Sequence, residues 1–334
     1  MILDGKKDDV WEIDLDDDTG NSDELDPAVF KLISEQIEQL PPFPMVINQV
    51  LSMIEDPNVT LADLARVILN DPSLTGNILK VVNSAYYGFN STISTVSHAV
   101  SLLGFNEVKN LALSLPINDA LFGKSRSFGL SQADLWVHSV GVGVCGRKIG
   151  EKVRYPVPEE AFVAGLLHDI GKNLLNDVFP ERFDQVLHRA EEQQRALVDI
   201  EQELLTVSHA TIGSWLAQHW KLPDALTAAI QNHHQPLTAI SDGDAGIRLE
   251  AIIFLADFLA KFLSLGFSGD RYLPRIRPEI FKHLAIKPED VVSMAEGVER
   301  DIQPTLRPFG LEIDFKPITA EDKTKMAGFF APLD

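Results

Sequence analysis

Apolar residues recur every three or four positions along most of the chain, which is the spacing of one face of an α-helix. In the segment that follows Asp71-Pro72, for example, Leu74, Ile78 and Val82 fall on one face. We find no alternation of apolar and polar residues typical of half-buried strands, and no internal repeat. The sequence therefore predicts an all-α fold.

Local signals mark where several helices begin and end. Asp26-Pro27 offers an N-cap and a first-turn proline, and the proline-rich stretch 41–44 ends the helix that follows. Thr60 and Asp63 have the spacing of a capping box, and Asp71-Pro72 opens a further helix. Besides the helix that opens at Asp71-Pro72, the predicted helices span residues 27–40, 60–70, 95–103, 106–121, 131–150, 158–170, 181–190, 195–204, 208–220, 223–234, 247–264 and 288–304.

Seven ionisable residues that can bind a metal interrupt these apolar segments. The clearest is Asp257, because residues 249–260 are so apolar that most orientations of the helix bury its carboxylate. A buried carboxylate or imidazole must be paired, hydrogen-bonded or coordinated, since an isolated buried charge is strongly disfavoured. A buried metal site explains the whole set best. The candidate ligands are His138, His168, Asp169, His209, His233, His234 and Asp257.

Most of these residues also have an ordinary structural interpretation when they are taken one at a time. A single core histidine, such as His138 or His209, is more often hydrogen-bonded to a backbone carbonyl than bound to a metal. His233 and His234 could lie at a helix C-terminus, where an imidazolium is stabilised by the helix dipole. The metal interpretation depends on the set as a whole.

His168 and Asp169 follow the apolar run 161–167, and Gly171 comes next at a point where a helix could stop or bend. Neighbours on a helix point about 100° apart, so these two side chains cannot bond each other across one face. They can, however, converge on an ion beside the helix.

The net charge of −20 argues against direct binding to a nucleic-acid polymer or to an anionic membrane surface. Much of this charge is local, since residues 1–27 contain eleven acidic residues against two lysines. Such a composition cannot support a packed core. Residues 1–26 are therefore predicted to form an acidic, disordered tail.

The single cysteine, Cys145, excludes an internal disulfide and a cysteine-based zinc motif. The N-terminus shows no basic stretch followed by an apolar run, so we expect no signal peptide. The longest apolar segment, 252–265, is interrupted by Asp257 and Lys261 and is too short to span a bilayer. Together these features predict a cytoplasmic globular protein.

Several motifs resemble those of the HDOD domain family, a branch of the HD phosphohydrolase superfamily found mostly in bacterial signalling proteins. They are Leu40-Pro41-Pro42-Phe43-Pro44, Asp71-Pro72-Ser73-Leu74-Thr75, Val82-Asn83-Ser84-Ala85-Tyr86-Tyr87-Gly88, Leu102-Leu103-Gly104-Phe105, Gly165-Leu166-Leu167-His168-Asp169-Ile170-Gly171-Lys172, Ser208-His209-Ala210-Thr211-Ile212-Gly213 and Trp220-Lys221-Leu222-Pro223. The resemblance covers roughly residues 27–260. It implies an HD-type helical core preceded by a smaller helical subdomain. The predicted units are a tail (1–26), an N-terminal subdomain (27–125), a metal-binding core (126–270) and a C-terminal helical extension (271–334).

The resemblance also implies roles for the candidate ligands. By similarity to HD hydrolases, the four ligands of a basic metal site would be His138, His168, Asp169 and Asp257. By similarity to the HD-GYP phosphodiesterases, a second metal position would be built by His209, His233 and His234. Two divalent transition-metal ions are implied, iron or manganese first, with nickel and zinc as alternatives that suit the mixed nitrogen and oxygen donors. The candidate catalytic residues are Asp169 and Lys172, unless Lys172 is an exposed helix-end lysine.

Three functions fit these residues. Many HDOD proteins have lost the metal ligands and act as regulatory modules, whereas this chain keeps a full set, so the first is a signal-transduction module with a binuclear metal site. It would act on a signalling protein partner, with a nucleotide or phosphate as ligand. The second is a metal-dependent phosphohydrolase or phosphodiesterase acting on a nucleotide, although the Gly-Tyr-Pro triplet of HD-GYP enzymes is absent. The third is a di-iron oxygenase. The sequence favours the first.

Overall fold

The computed structural model describes residues 27–330, with gaps at 41, 55, 57, 85–86, 90–91, 122–128 and 236–247. These residues form helices and no strand, so the predicted all-α fold is confirmed. The tail predicted for residues 1–26 lies outside the described residues. The α-helices are α1 (Pro27–Gln39), α2 (Met45–Ile54), α3 (Leu61–Leu69), α4 (Pro72–Val82), α5 (Val96–Leu103), α6 (Phe105–Leu121), α7 (Gln132–Val153), α8 (Pro158–Leu167), α9 (Ile170–Val178), α10 (Pro180–Gln193), α11 (Leu197–Leu205), α12 (His209–His219), α13 (Asp224–Asn232), α14 (Leu249–Phe262), α15 (Pro278–Leu284), α16 (Pro288–Ala295), α17 (Val298–Leu306) and α18 (Ala320–Gly328).

Two predicted helix starts are confirmed in atomic detail. Thr60 and Asp63 form a reciprocal capping box at α3, in which the Thr60 backbone N–H donates to Asp63 Oδ2 at 3.0 Å. Asp71 caps α4 by accepting a hydrogen bond from the Leu74 backbone N–H at 3.0 Å, and Pro72 occupies the first turn. These contacts satisfy backbone donors that have no partner within the helix.

The structure corrects several helix boundaries. The predicted helix 158–170 ends at Leu167, and α9 begins at Ile170, so that His168 and Asp169 form the junction. The predicted helix 288–304 is split into α16 and α17 next to Gly297. Helices α2, α9, α15 and α18 were not predicted. Short helices such as these gain their stability from tertiary packing rather than from local propensity, which leaves a weak signal in the sequence.

The centre of the molecule is the long helix α7, which packs against α8, α14 and α17. Helix α12 packs against α9 and α13, and α13 packs against α8 and α14. The middle of α7 is buried on every side, from Leu135 to Gly146. Polar side chains in this part of the helix, such as His138, therefore face protein rather than solvent.

Helices α2 to α6 pack around one another, and α6 joins this group to α8 and α17. A buried ion pair between Lys109 and Glu159 and a hydrogen bond of 2.7 Å from Arg147 to Asn110 cross this contact. Helix α1 packs against α9 and α12. In the part of the chain that the structure describes, no helix is both long and apolar enough to cross a membrane.

Candidate metal centre

The structure brings all seven predicted ligands together in the interior. They form two groups, in each of which the possible donor atoms lie within 4.8 Å of one another. All are buried except His234, which is partly exposed. The first group comprises His138, His168 and Asp257, and the second comprises Asp169, His209, His233 and His234.

Five separate stretches of chain contribute to this cluster. His138 lies in α7, and His168 and Asp169 form the α8–α9 junction. His209 is the first residue of α12, where Ser208 is the N-cap. His233 and His234 follow the end of α13, and Asp257 lies in α14. Each group therefore draws on stretches that are distant in sequence, and only tertiary packing can bring these stretches together.

Glycines allow the helices that carry the ligands to cross closely. A Cβ placed on Gly165 would lie 2.4 Å from the backbone nitrogen of Gly143, at the crossing of α7 and α8. A Cβ on Gly171 would lie 2.0 Å from the backbone oxygen of His209 and 2.9 Å from the nitrogen of Gly213. Real Cβ atoms do not make such approaches, so these crossings require glycine. The first sets the spacing of His138 from His168, and the second sets the spacing of Asp169 from His209.

Asp257 and the two histidines of the first group face one another. Asp257 Oδ1 lies 3.0 Å from His138 Nε2 and 4.0 Å from His168 Nε2. Asp169 also reaches this first group. Its Oδ2 lies 3.3 Å from His168 Nε2 and 3.8 Å from His138 Nε2. Four donors thus surround one position, as expected for the basic ligand set.

Asp169 also reaches the second group. Its Oδ1 lies 3.3 Å from His209 Nε2 and 3.7 Å from His233 Nε2. His209 Nε2 is in turn 3.4 Å from His233 Nε2 and 2.9 Å from His234 Nε2. One carboxylate therefore directs one oxygen toward each group of candidate ligands.

In three histidines, a hydrogen bond at Nδ1 determines that Nε2 is the nitrogen available to a metal. Nδ1 of His168 donates to the Gly165 carbonyl at 2.7 Å, and Nδ1 of His233 donates to the Ile230 carbonyl at 2.7 Å. Nδ1 of His209 donates to Glu201 Oε2 at 2.6 Å. With the proton on Nδ1, each Nε2 presents a lone pair to the centre of the cluster. This is the state in which histidine binds a metal.

Four of the inward-facing atoms are sealed from solvent and lack a well-aligned hydrogen bond, and the closest contact among them is the 3.0 Å between His138 Nε2 and Asp257 Oδ1. They are His138 Nε2, His168 Nε2, Asp169 Oδ1 and Asp257 Oδ1. Leaving a buried polar atom unsatisfied costs roughly 1–3 kcal/mol, and four such atoms facing each other would be strongly destabilising. A shared cation satisfies all four at once, so the residues fit a metal.

The ionisation states of several candidate ligands also suit metal binding. Burial opposes ionisation of Asp169, but the neighbouring His168 and Lys172 hold the pKa of that carboxyl well below its usual range. The pKa of Asp257 is likewise well below its usual range, because the charge of Lys261 outweighs the effect of burial. Burial lowers the pKa of His233 to about 4 and also lowers the pKa of His138. At neutral pH the carboxylates are charged and the imidazoles of His138 and His233 are neutral, as metal ligation requires. The pKa of His209 is shifted in the other direction, because the carboxylate of Glu201 outweighs the effect of burial and raises it.

Two buried lysines hold the ligand carboxylates. Lys172 Nζ donates to Asp169 Oδ2 at 2.7 Å and to the Ser268 carbonyl at 2.8 Å. Lys261 Nζ lies 3.2 Å from Asp257 Oδ2 and 3.3 Å from Asp270 Oδ1. Through these contacts, the two lysines hold the ligand carboxylates in position. The catalytic roles predicted for Lys172 and Asp169 stay predictions.

Sequence reasoning missed Glu201, Lys261 and Asp270 as parts of this centre. Lys261 follows Asp257 by four residues in an apolar helix, a spacing at which opposite charges pair, so a signal was present. Glu201 and Asp270 gave no comparable signal. Four buried carboxylates, counting both ligand aspartates, face two buried lysines here, and the resulting excess of negative charge also favours a divalent cation.

We expect Glu201→Gln to weaken metal binding by about 10- to 100-fold, because it removes the charged partner that orients His209 and raises its basicity. A competition titration with a chelating dye measures the change. Glu203→Gln is the matched control, since Glu203 lies on the same helix but is partly exposed and pairs with Arg195. Equal affinities for the two variants would show that Glu201 has no such role.

A domain-family model and one curated relative match this chain. The model of the HDOD domain matches residues 40–236. An uncharacterised protein of Treponema pallidum (strain Nichols) is 27% identical over 203 residues, which are 60% of this chain and 39% of that protein. The chain thus spans about two fifths of the length of this curated relative.

Solved structures share the fold. An HDOD domain protein of unknown function from Geobacter sulfurreducens has a TM-score of 0.60 at 25% identity, covering 91% of this chain and 98% of that one. A proposed signal transduction protein from Marinobacter aquaeolei VT8 has a TM-score of 0.65 at 24% identity, covering 86% of this chain and 67% of that one. A proposed phosphohydrolase from Shewanella amazonensis SB2B has a TM-score of 0.58 at 23% identity, covering 84% of this chain and 97% of that one.

Proposed function

The chain belongs to the HDOD domain family, and on that basis we propose that it is a bacterial signal-transduction module built around a binuclear metal centre. The family membership supports the regulatory role. The metal centre is supported by one observation above all, the convergence of four solvent-sealed donor atoms, from His138, His168, Asp169 and Asp257, that lack well-aligned hydrogen bonds. In this proposal the metal state of the protein controls a signalling protein partner.

Metal binding would couple distant parts of the chain. The ligands come from α7, the α8–α9 junction, α12, the turn after α13, and α14. A ligand that binds only the folded arrangement stabilises it by mass action, by about 2.7 kcal/mol at one hundred times its dissociation constant. Loss of the metal therefore loosens the packing of several helices together. Such a change can be transmitted to a partner surface.

The second candidate function is hydrolysis of a phosphate ester of a nucleotide. Its support is the placement of Asp169 between the two donor groups. Two divalent ions held there would activate water and neutralise phosphate charge. Against it stands the position of Lys172, which is only 1% exposed and whose ammonium is bonded to Asp169 and to the Ser268 carbonyl. That ammonium is directed toward the protein rather than toward a substrate.

One set of measurements separates the two functions. Metal content is determined by plasma mass spectrometry on protein purified anaerobically, and hydrolysis of bis(p-nitrophenyl) phosphate is followed on the same metal-loaded sample. We expect about two equivalents of a transition metal, iron or manganese first, and no metal-dependent turnover. Chelation should lower the melting temperature of the wild type but not that of His168→Ala.

His188→Ala is the matched control, because His188 is an exposed histidine outside the cluster. It should keep the metal content and the response to chelation. Turnover that requires metal and disappears in His168→Ala would favour the hydrolase over the regulatory module. Metal content far below one equivalent that reconstitution does not restore would contradict the metal centre itself.

A further inference from the structure

A cavity of about 490 Å³ adjoins the metal centre on the side of His138. One wall is formed by the end of α14 and the chain that follows it, and the other by the C-terminal segment 313–325. Its volume falls in the range of small-molecule sites, roughly 300–1,000 Å³. The lining includes His138, Arg271, Phe315, Lys316 and Lys325.

His138 differs from His168, His209 and His233 in the hydrogen bonding of its Nδ1 atom. Nδ1 of each of the other three donates to a carbonyl or carboxylate of the protein. Nδ1 of His138 has no hydrogen-bond partner among the described residues. It is also not sealed in the interior as Nε2 is, and His138 lines the cavity. With Nε2 facing the metal position, Nδ1 carries the proton and offers a donor to the cavity.

Metal-bound histidines almost always donate their second N–H to an acceptor, most often a carboxylate or a carbonyl. The N–H at Nδ1 of His138 would be satisfied by a ligand that carries anionic oxygens. We propose that this cavity is the binding site of a small aromatic anion, which accepts a hydrogen bond from His138 Nδ1.

The charge of the cavity suits an anion even though the whole chain carries a net charge of −20. Arg271, Lys316 and Lys325 line it, and none of these cations makes an ion pair with another described residue. Of the acidic residues there, Asp270 is paired with Lys261, and Asp322 accepts hydrogen bonds from Thr319. Asp314 is the remaining carboxylate of the lining. With His138 neutral, the lining carries four cations (Lys261, Arg271, Lys316 and Lys325) against three carboxylates (Asp270, Asp314 and Asp322), which is a net charge of +1 (4 − 3).

The apolar residues of the lining indicate the chemistry of the ligand away from its anionic oxygens. Phe262, Phe267 and Phe315 contribute their side chains, and the guanidinium of Arg271 lies 5.2 Å from the ring of Phe267. Aromatic rings and a guanidinium plane favour a flat, unsaturated partner, since both can stack on it. A phosphate or carboxylate attached to an aromatic ring meets both requirements.

Binding of the anion should strengthen metal binding, and this part of the proposal rests on the metal centre proposed above. An oxygen that accepts the proton of Nδ1 raises the basicity of Nε2 on the same imidazole. By reciprocity, the metal must strengthen binding of the anion by the same factor. The cavity would then be the point at which a small molecule controls the metal state.

Calorimetric titration of the full chain with phenylphosphonate, which cannot be hydrolysed at an ester bond, tests the site. We expect one binding site per chain, weaker binding of benzoate, and weaker binding still of inorganic phosphate, which has no ring. Lys316→Ala with Lys325→Ala should weaken phenylphosphonate binding at least tenfold. The matched control is Lys80→Ala with Lys282→Ala, two exposed lysines outside the cavity.

The metal-free and metal-loaded proteins are titrated separately, so that the two proposals fail in different ways. A several-fold gain in phenylphosphonate affinity on metal loading is expected, together with the same gain in metal affinity. Binding that is unaffected by the cavity variant, or no binding to either form, would overturn the anion site. Binding to the cavity in a protein that takes up no metal would keep the anion site and overturn the metal centre.

Discussion

Asp169→Asn is expected to reduce the metal content from about two equivalents to well below one, because this carboxylate is shared by both donor groups. Its two oxygens lie 3.3 Å from His168 Nε2 and 3.3 Å from His209 Nε2. An asparagine keeps the size of the side chain but offers only one neutral oxygen. Since that oxygen can face only one group, the other position loses its charged ligand.

The same substitution also removes the partner of Lys172, so lost folding must be separated from lost ligation. Breaking a buried ion pair by removing one partner costs about 3–5 kcal/mol. The double variant Asp169→Asn with Lys172→Met removes both charges and should recover much of that stability. It should still bind no more metal than the single variant. Metal content is measured by plasma mass spectrometry, and stability by urea unfolding in the presence of chelator.

Asp184→Asn is the matched control, because Asp184 is an exposed aspartate on α10. It should keep both metal equivalents and its stability. Two equivalents retained by the well-folded double variant would show that Asp169 is not a ligand. The buried polar atoms around it would then need another explanation.

The candidate ligands were predictable because each conflicts with its local sequence. Asp257 in an apolar helix and His138 between valines, for example, signal a buried polar group. That signal says that a partner must exist but not which one. The convergence of five chain stretches depends on helix packing, so the grouping of the ligands required either a known relative or the structure.

The supporting contacts were less predictable because they join residues far apart in sequence. Lys172 donates to the carbonyl of Ser268, 96 residues away, and Lys109 pairs with Glu159 across 50 residues. Hydrophobic periodicity reports which face of a helix is buried, and it carries no information on such pairs. The junction at His168 and Asp169 was missed for a related reason. A continuous apolar run favours one helix, and Gly171 signals only that a helix could stop or bend nearby. The new helix α9 packs against α12, with Gly171 at the close approach to His209.

The glycines of α7 and α8 show how a locally unfavourable residue can be required by packing. Glycine inside a helix costs about 1 kcal/mol relative to alanine, so the glycines of α7 weaken it as an isolated helix. Gly143 and Gly165 nevertheless form the crossing that places His138 beside His168. Sequence reasoning sees the local cost and misses the crossing that requires it.

Gly165→Ala is therefore expected to lower the free energy of unfolding by about 3 kcal/mol and to weaken metal binding, because it overpacks the crossing of α7 and α8. The new Cβ would lie 2.4 Å from the nitrogen and 2.5 Å from the Cα of Gly143. Backbone atoms cannot move aside as a side chain can, so the two helices must separate. Urea unfolding of the metal-free protein measures the first effect, and a chelator competition titration measures the second.

A graded series of glycines tests this explanation. A Cβ on Gly213 would meet the Ile230 side chain at 2.8 Å, which can rearrange, so Gly213→Ala should destabilise less than Gly165→Ala. A Cβ on Gly76, in α4, meets nothing within 4 Å. Gly76→Ala should raise stability by about 0.5–1 kcal/mol, because alanine is the better helix former, and should leave metal binding unchanged. If Gly165→Ala behaved like Gly76→Ala, the close crossing would not set the spacing of His138 from His168, and the metal centre would have to tolerate a wider separation of its helices.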